Sequence, residues 1–89
     1  MKNEKKAAEL INEVTKQMDL LINDMSVPKN VRSAIGEARQ KLESNTDFII
    51  RVSEAIYSLD SVSNDINLPP QARTSIWNIL SMLESIKIS

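Results

Sequence analysis

The sequence predicts an all-α protein, a four-helix up-down-up-down bundle built from two duplicated helical hairpins. Three observations carry this. Apolar residues recur in four separate stripes at three- and four-residue spacing, the second half of the chain repeats part of the first, and proline or short polar residues stand between the stripes.

The first stripe is Ala7, Leu10, Ile11, Val14, Met18, Leu21 and Ile22, which predicts a helix over 3–24. Pro28 then suits the first turn of a second helix over 28–43, whose stripe is Val31, Ala34, Ile35, Ala38 and Leu42. Ser44-Asn45-Thr46-Asp47 offers capping oxygens before Phe48, where a third helix over 47–64 carries Phe48, Val52, Ala55, Ile56, Leu59 and Val62. Pro69-Pro70 opens a fourth helix over 70–87 with Ala72, Ile76, Ile79, Leu80, Leu83 and Ile86. The expected organisation is a single all-helical domain over 1–89, with hairpin one at about 3–43 and hairpin two at about 47–87.

A shift of 41 residues lays Asn23-Asp24-Met25-Ser26-Val27-Pro28 over Asn64-Asp65-Ile66-Asn67-Leu68-Pro69. Arg32 falls on Arg73, Ile35 on Ile76, and Leu42-Glu43-Ser44 on Leu83-Glu84-Ser85. A two-unit HEAT-like helical repeat, whose period is ~40–47 residues, is the alternative architecture, although ~3 units are normally needed for a free-standing solenoid.

Composition removes most catalytic chemistry. The 89 residues include 0 His and 0 Cys, so a Cys/His zinc site, a His-activated nucleophile and a redox dithiol are excluded. The one glycine cannot supply a glycine-rich phosphate loop. Eleven Lys+Arg against 12 Asp+Glu give a net charge of −1, and no basic stripe suited to nucleic acid stands out. No apolar run approaches the ~18 residues of a membrane span, and the lysine-rich start leads into a charged amphipathic stretch. A cytoplasmic protein without cofactors, metal ions or membrane contact is expected.

Two sets of residues stand out. The repeated Asp24, Pro28, Arg32 and Asp65, Pro69, Arg73 read as structural corners. There the carboxylates would reach N–H groups opening the next helix or pair with the arginine a turn later. The second set is apolar and off the core stripes. Helical-wheel arithmetic puts Ile50 and Tyr57 about 200° and 180° from Phe48, and Trp77 about 140° from Ala72, with Ile88 near it. Residues 55–83 hold only Asp60, Asp65 and Arg73 as charged side chains. An exposed aromatic face poor in charge predicts an interface.

Val27-Pro28-Lys29-Asn30-Val31-Arg32 and the segment from Ser63 through Ala72-Arg73-Thr74-Ser75-Ile76-Trp77 resemble a family of short archaeal proteins, the uncharacterised protein family zero-one-four-seven. The resemblance runs from about Leu10 to Ile86. It implies a compact all-helical fold in an archaeal cytoplasm, with no catalytic or cofactor-binding residues to carry over. The chain departs from the family pattern at Ile66, where proline is common, and at Gln71, where histidine is common.

The expected function is therefore that of a non-enzymatic interaction or assembly module. It would self-associate, as a homodimer, through Ile50, Tyr57 and Trp77, or hold a different protein. An accessory protein of an RNA-containing machine, using Arg32, Arg39, Lys41 and the N-terminal lysines, is the alternative. A carboxylate-only enzyme is the weakest reading.

Overall fold

The computed structural model describes residues 2–88, with side chains from Lys6 to Lys87. Helix α1 spans Lys2–Ile22, α2 Lys29–Leu42, α3 Phe48–Asp60 and α4 Pro70–Ile88. No strand is present among the described residues.

Each helix packs along its predicted stripe. Val14, Met18 and Leu21 of α1 meet Val31, Ile35 and Ala38 of α2, Val52, Ala55 and Leu59 of α3, and Ile76, Ile79 and Leu83 of α4 in one buried cluster. Val27, Val62 and Leu68 join it from the connections, so both hairpin turns are anchored in the same core. Ala7, Leu10, Ile11, Ile22, Phe48, Leu80 and Met82 line its edge.

Helix α1 packs on α2 and α4, and α3 packs on α2 and α4. The ring closes through α1 and α4, giving a body of 40 × 21 × 20 Å. Stacked repeats would instead set α1 beside α3 and α2 beside α4. Among the described residues neither pair packs side by side, so the HEAT-like alternative is corrected to a closed four-helix arrangement.

Helix ends differ from the periodicity where side chains and tight turns compete with the helix. Asp24 N–H donates to Leu21 O, a tightened turn that ends α1 at Ile22 rather than at residue 24. Helix α3 stops at Asp60, short of residue 64. Val62 and Ser63 N–H groups donate to Leu59 and Asp60 carbonyls, and the Ser61 and Ser63 hydroxyls donate to Ser58 and Asp60 carbonyls. Val62 keeps the apolar period although the helix has ended, because it still points into the core.

Pro28 is the N-cap of α2, Asp47 caps α3 by accepting from Ile49 N–H, and Pro70 opens α4. Arg51 lies over the Phe48 ring at 5.2 Å and donates to Leu42 O, tying α3 back to the end of α2.

Candidate interaction surface and the paired corners

The two corners are built alike. Asp24 Oδ1 accepts from the Ser26 N–H at 2.9 Å and from the Ser26 hydroxyl at 2.7 Å, while Asp65 Oδ1 accepts from Asn67 N–H at 2.8 Å. Val27 and Leu68, one residue further on, each donate to the carbonyl of the preceding aspartate and bury their side chains. Arg32 and Arg73 N–H groups donate to Pro28 and Pro69 carbonyls, both at 3.0 Å.

The carboxylates thus close the loop two residues on rather than capping the next helix. Nor do the arginines clamp them. Arg32 Nε donates to Val27 O and an Arg73 Nη donates to Asp65 O, both at 3.0 Å, so each guanidinium pins a backbone carbonyl of the turn. The reason is reach: an Asx turn satisfies an N–H within the loop at low entropic cost, leaving the longer arginine to span back across it.

Both carboxyls are held below the usual aspartate range. For Asp24 the main cause is the Ser26 hydroxyl, followed by the Ser26 N–H, with the nearby Arg32 charge adding to it. For Asp65 the main cause is the Asn30 side-chain amide, then Asn67 N–H. A general acid needs a shift in the opposite direction. Asn30 Nδ2 donates to Asp65 Oδ2 at 2.9 Å, which bonds the first turn of α2 to the α3–α4 corner.

The corners also hold out two apolar side chains that sequence reasoning passed over. Met25 is 79% exposed and Ile66 90% exposed, and the repeat places one on the other. Leu20, exposed on the rim of a cleft of about 380 Å³ between α1 and α4, was likewise missed; Gln17, Gln71 and Ser75 line the same cleft. The signal for Leu20 was the off-stripe position already used for Trp77.

All three candidate interface residues lie outside the core. Tyr57 is 79% exposed, Trp77 56% and Ile50 50%, and Ile49 is exposed beside Ile50. Ile50 and Tyr57 share one stripe of α3, and α3 packs on α4, which carries Trp77. The side chain of Ile88, expected near Trp77, lies outside the described residues, as do those of Lys2 and Lys5.

Two of the four basic residues of α2 are committed. Arg39 Nε lies 2.7 Å from Asp19 Oδ1 and one Nη lies 2.9 Å from Glu43, an arrangement that raises the Arg39 pKa chiefly through Asp19. Arg32 is held at its corner; Lys29 and Lys41 are exposed. No group of three or more Asp and Glu side chains among the described residues could hold a metal ion, and no helix there is long and apolar enough to cross a membrane.

A family described as "Uncharacterised protein family (UPF0147)" matches residues 1–86. A UPF0147 protein of Methanocaldococcus jannaschii is 41% identical over 86 residues, covering 96% of this chain and 92% of its own. One from Archaeoglobus fulgidus is 38% identical, covering 88% and 90%. Among solved structures, a UPF0147 protein from Thermoplasma acidophilum superposes with a TM-score of 0.84 at 36% identity, over 89% of this chain and 94% of that one. A further crystal structure, of a protein of unknown function, gives 0.83 at 34% identity over 88% and 90%.

Proposed function

The chain belongs to the uncharacterised protein family UPF0147, and from that premise we propose that it is a non-enzymatic helical interaction module that docks another chain through the outer faces of α3 and α4. The observation that carries this reading is Trp77, more than half exposed on a helix whose core positions are filled by other residues. With Tyr57 and Ile50 it makes an aromatic and aliphatic face, and between Tyr57 and Trp77 the chain carries only Asp60, Asp65 and Arg73 as charged side chains. Such residues contribute a large share of binding energy where they occur in interfaces.

The test is Trp77→Glu, followed by circular dichroism and by light scattering across a concentration series. The expected result is a variant that keeps its helicity and melting temperature. A drop of about 4–8 °C or more, the equivalent of ~1 kcal/mol in a domain of this size, would mean that Trp77 serves the chain's own core and would overturn the reading. Wild-type dimers that become monomers in the variant would identify the docked chain as a second copy.

A further inference from the structure

The outer α3–α4 face carries a second pattern besides its apolar residues. Glu54 lies between Ile50 and Tyr57 on the same stripe of α3, Glu84 lies two turns beyond Trp77 on α4, and Asp60 closes the end of α3. All three are exposed, and no side chain among the described residues pairs with them.

Two of the cations on these helices are held at backbone carbonyls. Arg51 is spent on Leu42 O and the Phe48 ring, and Arg73 on Asp65 O. Beyond Lys41 the chain has a single lysine, Lys87, in the last turn of α4. The face is therefore aromatic in its middle and edged by Glu54, Asp60 and Glu84, with the exposed Lys87 one turn beyond Glu84.

Resting on the docking reading above, we propose that its occupant is a cationic amphipathic helix of a different protein, with apolar anchors over Tyr57 and Trp77 and Lys or Arg opposite Glu54, Asp60 and Glu84. Charge complementarity selects this occupant. Two copies meeting through this face would bring Glu54, Asp60 and Glu84 of each together against one lysine of each, Lys87, an excess of like charge that disfavours binding. The chain's own basic segment, at the start of α1, cannot serve in a second copy, because Ala7, Leu10 and Ile11 are packed against their own core. A helix laid along two others, with basic residues flanking its apolar stripe, satisfies both halves of the pattern. An arginine of the partner over Trp77 or Tyr57 adds a cation–π contact.

The experiment titrates the protein with a short synthetic Leu/Lys amphipathic helix and reads the emission of Trp77, the only tryptophan. A saturable blue shift at one-to-one stoichiometry is expected, weakened in about 0.5 M salt, where screening is strong. The double variant Glu54→Lys/Glu84→Lys loses about tenfold or more in affinity, equivalent to ~1.4 kcal/mol. A control of equal charge change on α1, Glu9→Lys/Glu13→Lys, keeps it, and a Leu/Glu helix gives no shift.

Equal losses in both double variants would reduce the effect to bulk charge and overturn the proposal, as would the absence of any saturable shift. A homodimer broken by Trp77→Glu would overturn the cationic occupant while leaving the docking face standing. A Trp77→Glu variant that no longer folds would remove the face itself.

Discussion

Asn30 and Asp65 are 35 residues apart in sequence and bonded at 2.9 Å, side-chain amide to carboxylate, so that the opening of α2 and the α3–α4 corner are held together. Asp65 already closes its own turn through Asn67 N–H. The bond from Asn30 therefore joins two hairpins whose local structures are each complete without it.

Replacing Asn30 tests that join. Asn30→Ala is expected to lower the melting temperature, and to lower it by less in an Asp65→Asn background, where the charge-assisted bond is already weakened. Calorimetry on the two single variants and the double would read the coupling; additive effects would contradict it.

The two corner aspartates set a pH dependence. Their pKa values are depressed in the folded state, so the stability they contribute is present above the ordinary aspartate range and is lost as the pH falls through their folded values. Urea midpoints measured from pH 7 down to pH 3 should decline, and Asp24→Asn/Asp65→Asn should decline less steeply over the same range.

Core and face should respond differently to truncation. Leu83 and Ile35 are fully buried, and Leu83→Ala or Ile35→Ala is expected to cost about 2–5 kcal/mol. Ile50→Ala and Tyr57→Ala, on the outer face, should change stability by no more than about 0.5 kcal/mol. Chemical denaturation of the four variants separates the sets.

Gly36 offers a gain. It sits inside α2 with no positive φ, and a Cβ built there meets nothing within 4 Å. Gly36→Ala should raise stability by about 0.5–1 kcal/mol, mainly by narrowing the freedom of the unfolded chain. A fall in melting temperature would show that the folded chain does not accommodate the added methyl.

The helices and their buried stripes were legible because each stripe keeps one period long enough to define a face, as Val14, Met18 and Leu21 do. The end of α3 was not, since Val62 continues the apolar period through a turn that the Ser61 and Ser63 hydroxyls stabilise. At the corners the residues were legible and their bonds were not. Aspartate and arginine repeating together suggest an ion pair, whereas loop geometry gives each a closer backbone partner. Asn30 left no signal at all, because a contact across 35 residues has no local pattern. Ile50, Tyr57 and Trp77 were placed by wheel arithmetic, which also applies to Leu20; Met25 and Ile66 lie in turns, where no helical face is defined.

The short connection between α2 and α3 has a kinetic meaning. Either hairpin alone would leave its half of the shared core bare and could cover it only by meeting another chain, an event whose rate depends on protein concentration. Joined in one chain, each half finds the other at a fixed and high effective concentration. The bundle should therefore unfold at a midpoint independent of protein concentration. Any concentration dependence in a melting curve would then report association between finished molecules rather than the making of one.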